Sequence, residues 1–261
     1  MAWTRRYDEA EPQRVNRWLA HSGVCSRREA DSLIASGAVT INGVRVTDAG
    51  RKIAPGETLV LAGAELDALE TSLSVVLNKP PGIVSAQPDP GQVPAVRLLT
   101  AAALSGDSPS IPDRDTRLAP LGRLDQDSRG LLVLSQDGVL AKALIGPTSL
   151  IDKEYLVRVT GRITPDKLAQ LRHGMSLDGR RLRPAKVEAV EPQLLRFTLT
   201  EGRNRQIRRM CELIVLRVVD LVRIRIGSLQ LGDLPEGRWR VLSETERKAL
   251  IAASAGRPGT P

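Results

Sequence analysis

Cysteine and histidine are nearly missing from the 261 residues: Cys25, Cys211, His21 and His173 are the whole complement. Neither cysteine has a second thiol or an imidazole at metal-ligand spacing, so no metal site is expected and a zinc deaminase is excluded. Aromatic residues make up only 2% of the chain, too few for a base-stacking platform of the RRM kind. Long apolar runs are missing as well. No stretch approaches the roughly 18 uninterrupted apolar residues of a membrane span, and the charged start MAWTRRYDEAEP lacks the apolar centre of an export signal. These absences predict a soluble, cytoplasmic protein with no membrane partner.

Positive charge is abundant. Lys and Arg number 38 against 30 Asp and Glu, for a net charge of +8, the footprint of a protein that binds a polyanion. Lysine occurs only at Lys52, Lys79, Lys142, Lys153, Lys167, Lys186 and Lys248, so arginine supplies most of that charge. Its planar fork suits bidentate phosphate contacts and stacking on bases. The length fits a small domain joined to a larger one.

The first of these begins as two helices. From Arg14 the apolar residues Val15, Trp18 and Leu19 share one helical face and Gly23 is placed to end it; Ser26 and Glu29 then form a capping box before the stripe Ala30, Leu33, Ile34, which Gly37 stops. Val39 and Ile41, the pair Asn42-Gly43, then Val44 and Val46 spell a hairpin with a two-residue turn. Pro55-Gly56 leads into a last strand at 58–61. Arg27 and Arg28 occupy the first turn of the second helix, where the macrodipole disfavours cations but backbone N–H groups and guanidiniums together suit a phosphate. The segment RVNRWLAHSGVCSRREADSLIASGAVTINGVRV resembles the S4-type RNA-binding domain over residues 12–66, with 1–11 as an N-terminal tail and 67–72 as a linker.

The remainder, 73–250, has the pattern of one larger domain, with 251–261 as a C-terminal tail. A strand at 73–78 is followed by the rigid turn Lys79-Pro80-Pro81-Gly82 and renewed strand at Ile83-Val84. Residues 87–116 read as loop with one short helix near 96–104. Asp125 lies in a turn before a buried strand at 131–135, where a rigid scaffold can present it to substrate, although the same pattern fits an ordinary turn residue. KEYLVRVTG alternates as a half-buried strand with Tyr155 on the apolar side, a position that also suits a plain core aromatic. In EGRNRQIRRMCELIVL, Ile207, Met210, Cys211 and Ile214 mark a buried helical face, with Arg205 and Arg209 projecting elsewhere and Arg208 at the boundary. Beyond it, Val222, Ile224 and Ile226 alternate with Arg223 and Arg225, as in a strand with one basic face.

GRLDQDSRGLLVLSQDG, KEYLV, EGRNRQIRRMCE and RIRIG, in this order behind an S4-like domain, strongly resemble the RsuA/RluB/RluF family of pseudouridine synthases over nearly the whole chain. GVCSRREAD, LNKPPGIVS and NRQIRRMCE are nearest its RluF-type large-subunit rRNA enzymes. The resemblance implies an α+β protein: the small S4-like domain plus a catalytic domain with an antiparallel-rich mixed sheet and flanking helices. It implies Asp125 as the catalytic aspartate, Tyr155 as the tyrosine that stacks on the base and moves a proton, and Arg208 as the cation that pairs with the aspartate. Leu221 then packs in the pocket and Arg123 contacts RNA, as do Arg27, Arg28, Arg203, Arg205 and Arg209. No cofactor or metal is implied. The implied partner is large-subunit ribosomal RNA, with a tRNA as a further candidate, and the implied state is a monomer. A noncatalytic S4-domain RNA-binding or ribosome-assembly factor is the alternative. Val215 departs from the family by standing where relatives carry glycine at the helix end, and 87–116 is longer than the family pattern.

Overall fold

In the computed structural model, which describes residues 2–22, 24–48, 50–63, 72–113, 116 and 118–255, the expected capping box is made. Glu29 N donates to Ser26 Oγ at 3.2 Å and Ser26 N to Glu29 Oε2 at 2.5 Å. These reciprocal bonds satisfy two of the donors that a helix start leaves orphaned. They begin α2 (Arg27–Ser36), which ends at Gly37 in the left-handed region. Before it comes α1 (Val15–His21), capped at its end by Ser22; Gly23, expected to end that helix, lies outside the described residues. Around the pair run β1 (Trp3–Arg6), β2 (Gln13–Arg14), β3 (Val39–Ile41), β4 (Val44–Arg45), β5 (Lys52–Ile53) and β6 (Thr58–Leu61). The β3–β4 turn has Asn42 at φ 49° and Gly43 at φ 80°, as a type I′ hairpin requires of both central residues.

Of the expected N-terminal tail 1–11, the described residues 2–11 do not form a tail. β1 pairs antiparallel with β6 along its whole length, and Tyr7 is fully buried with its ring edge-on to Trp18 at 5.4 Å. The Tyr7 hydroxyl donates to the Glu11 carbonyl. Burying such an aromatic is worth about 1.5–3 kcal/mol, which explains why a segment with so little periodicity is held. Tyr7 and Trp18 belong to one core with Val15, Leu19, Ile34, Ile53 and Leu59. The chain divides into two units, 1–73 with 135–142 and 74–134 with 143–261; most of the expected linker, 67–71, lies outside the described residues.

The second unit is built on a nine-stranded sheet. Its strands are β7 (Ser74–Lys79), β8 (Ala119–Pro120), β9 (Arg129–Ser135), β10 (Lys153–Thr160), β13 (Lys186–Glu191), β14 (Leu194–Leu199), β15 (Arg217–Ile226), β16 (Leu229–Gln230) and β17 (Trp239–Val241). The order is β13-β14-β10-β15-β9-β7-β17, with β8 beside β9 and β16 beside β15. The pairings β13–β14, β10–β14, β10–β15, β15–β16 and β7–β17 are antiparallel and β9–β15 is parallel, so the α+β reading with an antiparallel-rich mixed sheet holds. A small hairpin, β11 (Ser176–Leu177) and β12 (Arg180–Arg181), stands apart from it. α3 (Gly138–Ile145) has its residues 138–142 in the first unit, and the helices wholly within the second are α4 (Pro165–Arg172), α5 (Gln206–Leu213) and α6 (Glu244–Ala255). α6 runs into the expected C-terminal tail 251–261, of which 256–261 lie outside the described residues.

Two local expectations change. Ile83-Val84 does not resume a strand: Val84 makes one parallel bridge, to Pro94, and proline has no N–H with which to extend a ladder. The helix near 96–104 is two short 3₁₀ turns, Ala95–Leu98 and Ala101–Ala103.

One irregularity matters for the site. The β10–β15 register shifts between Glu154 and Tyr155, so that Glu154 faces Arg225 while Tyr155 faces Arg223. A bulge reverses the side to which later residues point. The single basic face expected of β15 is therefore split. Arg225 pairs with Asp152 and Glu154, whereas Arg223 shares the inward side with Leu221 and is 2% exposed. Gly130 permits the neighbouring strand to lie this close, because a Cβ there would stand 2.4 Å from the Arg223 carbonyl oxygen.

Candidate active site

The loop joining β8 to β9 carries Asp125, and the LNKPPGIVS segment grips that loop. Ser85 Oγ donates to the Leu124 carbonyl at 2.7 Å and accepts from Leu124 N at 2.8 Å. Gly82 N donates to the Gln126 carbonyl at 2.8 Å, and Gln126 Nε2 returns a bond to the Gly82 carbonyl. The residues on both sides of Asp125 are thus fixed to a second turn. That turn is itself tied by Lys79, fully buried, whose Nζ donates to the carbonyls of Pro80 and Ile83, both at 2.8 Å. Burial brings the Lys79 ammonium down to about 8, with the charges of Asp127 and Asp125 acting against the shift.

Asp125 keeps its side chain 31% exposed, open to a cavity of about 850 Å³. The same cavity is lined by Arg123, Tyr155, Arg205, Arg208 and Leu221. Tyr155, 9% exposed, sits on β10 between Phe197 of β14 and Arg223 of β15. Leu221 is 5% exposed and Arg123 is exposed. Sequence positions up to 98 apart therefore meet at one wall.

The cation beside Asp125 is not the expected one. Arg205 Nη1 stands 3.8 Å from Asp125 Oδ2. Arg208 instead turns to the next acid, its Nη2 donating to the Asp127 carbonyl at 2.9 Å and Ser128 Oγ at 3.2 Å, and lying 3.3 Å from Asp127 Oδ1. It is buried rather than at the edge of the helix's buried face. Asp127 also holds Arg205 with two bonds, 3.2 and 3.1 Å. Partial burial would raise the Asp127 carboxyl, but the Arg205 hydrogen bonds and the nearby charges of Arg208 and Arg205 outweigh it and hold the group below its usual range. One carboxylate, Asp127, organises two guanidiniums beside the less exposed Asp125.

The other arginines separate by environment. Arg203 donates through Nη2 to the Arg181 carbonyl, with Glu201 at 3.6 Å, and lines the cavity. Arg209 is held by both oxygens of Asp178, at 2.9 and 2.6 Å. Arg27 and Arg28, in the first unit, are exposed in the first turn of α2. Sequence reasoning missed Asp127, Lys153, Arg223 and the bracing Ser85. The D-Q-D spacing of Asp125 and Asp127 was a usable signal, as was the two-residue step from Leu221 to Arg223, which places both on one face of a strand.

Comparison with known proteins points the same way. The family model described as RNA pseudouridylate synthase matches residues 74–213, and that of the S4 domain matches 13–59. The chain is 36% identical over 238 residues to the dual-specificity RNA pseudouridine synthase RluF of Escherichia coli (strain K12), covering 89% of this chain and 76% of that protein. It is 35% identical over 247 residues to the ribosomal large subunit pseudouridine synthase B of Bacillus subtilis (strain 168), covering 92% and 96%. A crystal structure described as a pseudouridylate synthase superposes with a TM-score of 0.62 at 26% identity, over 91% of this chain and 99% of that one.

Proposed function

The chain belongs to the RNA pseudouridylate synthase family and carries an S4 domain, and from that premise we propose that it isomerises uridines of large-subunit ribosomal RNA through Asp125. The observation that carries the proposal is the convergence of Asp125, Tyr155, Leu221, Arg205 and Arg208 on one cavity. In the isomerisation the bond from C1′ to N1 breaks and one from C1′ to C5 forms, while C5 loses a proton and N1 gains one. No outside reactant is consumed. Asp125 acts at the glycosidic region as a carboxylate, a form that a cleft closed by a base would disfavour without neighbouring positive charge. Arg205 supplies that charge, and Arg208 holds the backbone of the same loop. Tyr155 stacks on the base and moves a proton, and Leu221 packs against it.

The target uridine must leave its stack, which costs a few kcal/mol that phosphate and stacking contacts offset. Arg123, Arg203 and Arg205 on the cavity, Arg209 on the same helix as Arg208, and Arg27 and Arg28 on the S4 domain are assigned to RNA phosphates. A tRNA is a second candidate substrate, and the enzyme is assigned as a cytoplasmic monomer; among the described residues no helix is long and apolar enough to cross a membrane. Mapping pseudouridines across rRNA and tRNA in a deletion strain tests the substrate. Sites lost on deletion and restored by the wild-type gene but not by Asp125→Ala support the proposal; an unchanged map overturns it.

A further inference from the structure

The inner wall of the cavity carries more positive charge than the carboxylate beside it requires. Arg223 is almost wholly buried, with Nε donating to the Leu131 carbonyl at 2.7 Å and Nη1 to the Arg123 carbonyl at 3.3 Å. Its Nη2 is buried and has no hydrogen-bond partner among the described residues. Leaving such a donor unmade is costly, the more so for a charged group, and an orphan of this kind calls for an explanation. Lys153 lies on β10 two residues before Tyr155, on the same side of the strand, and also lines the cavity. Its Nζ donates to the Ile151 carbonyl at 2.9 Å, which leaves two of its three donors available.

Like charges on one wall repel, and the surroundings do little to compensate. Burial first, and then the Arg223 charge, push the Lys153 ammonium down to about 8, with only Asp152 pulling the other way. Across from Lys153, β14 offers Leu199 and β15 offers Ile226, both apolar. On β10 itself, Glu154 is engaged by Arg225 and Arg196. Arg183, Arg203 and Arg205 on the cavity rim add positive charge, against Glu201, which Arg203 engages, and Asp125. A wall of this composition is completed by an electron-rich planar ligand.

We propose that Lys153 and Arg223 form the site that receives uracil after its bond to ribose breaks, donating to its carbonyl oxygens and carrying its negative charge. The inference rests on the isomerisation assigned above. When the C1′–N1 bond breaks, its electron pair stays on N1 and spreads to O2 and O4, so the detached base is an anion, and Asp125 answers the electron deficit left at the sugar. The base must then turn until C5 faces C1′. A cationic wall holds it through that turn without fixing one edge. C5 next supplies the pair for the new bond, its proton passes to solvent, and N1 takes one up. Preorganised donors of this kind are worth most in a cavity that excludes water.

The test is single-turnover tritium release from rRNA carrying 5-tritiated uridine, alongside equilibrium RNA binding and thermal melting, for wild type, Lys153→Met and Lys153→Arg. Lys153→Met is expected to slow release by about 10²-fold, the loss typical of one removed anion-stabilising donor, with RNA affinity and melting unchanged. Lys153→Arg is expected to recover most of the rate. Wild-type release is expected to fall as pH rises past about 8, where Lys153 loses its proton, and this limb moves to higher pH in Lys153→Arg. A wild type that releases no tritium overturns the assigned reaction and this inference with it. A wild type that releases tritium while Lys153→Met keeps its rate overturns the inference alone. So does a loss in Lys153→Met that is matched by lost melting or affinity, or one that Lys153→Arg does not relieve.

Discussion

Arg205 reaches Asp127 at 3.1 Å and Asp125 at 3.8 Å from a backbone held at φ 48°. A non-glycine residue in that region costs on the order of 1 kcal/mol, a strain that persists where the surroundings over-determine it. Here the two-bond grip of Asp127 supplies the constraint, so Asp127 positions the cation that faces Asp125. Asp127→Asn is expected to release both Arg205 and Arg208 from their charged partner. Single-turnover release of tritium is expected to drop by about 10²-fold, the cost typical of a misplaced group, while RNA affinity stays near wild type. A wild-type rate would show that Asp127 is dispensable.

Val215 should be a weak point for stability. It follows α5 at φ 57°, is 82% exposed, and carries the β-branched side chain least suited to that conformation. Its carbonyl accepts from Lys167 Nζ at 3.3 Å, a bond that any residue preserves. Val215→Gly is expected to stabilise the protein by about 1 kcal/mol, because the relief of strain exceeds the entropy that glycine adds to the unfolded chain. For a unit of this size that raises Tm by about 2–4 °C. A lower Tm would contradict the strain.

Much of this was legible in the residues. Capping box, hairpin and core stripes are local, and the chain forms them where Ser26, Asn42-Gly43 and Leu33 say it should. The N-terminal strand was not legible, because Trp3–Arg6 gains its order from β6, more than fifty residues away. Asp125, Tyr155 and Leu221 stand on one cavity as their motifs imply. The partner of the aspartate was misplaced, since helical spacing tells which face Arg208 occupies but not which of two acids in a distant loop its guanidinium meets. The separation of Arg225 from Arg223 was hidden by the bulge, which breaks the strict alternation on which a strand is read.

RNA binding should depend steeply on salt. Arg27 and Arg28 are exposed in the first turn of α2. Each phosphate neutralised contributes about −0.9 to the slope of log K against log salt on duplex nucleic acid and about −0.7 on single strands. Arg27→Gln with Arg28→Gln is expected to make that slope shallower by between one and two, with the single-turnover rate at saturating RNA unchanged. An unaltered slope would remove these two residues from the interface.

The most direct test replaces one oxygen. Asp125→Asn keeps the shape of the side chain and the bonds that Leu124 and Gln126 make to the braced turn, while abolishing the negative charge. Under single-turnover conditions with 5-tritiated rRNA, release is expected at background for Asp125→Asn, with RNA affinity and Tm as in the wild type. Release at the wild-type rate would contradict the role proposed for Asp125.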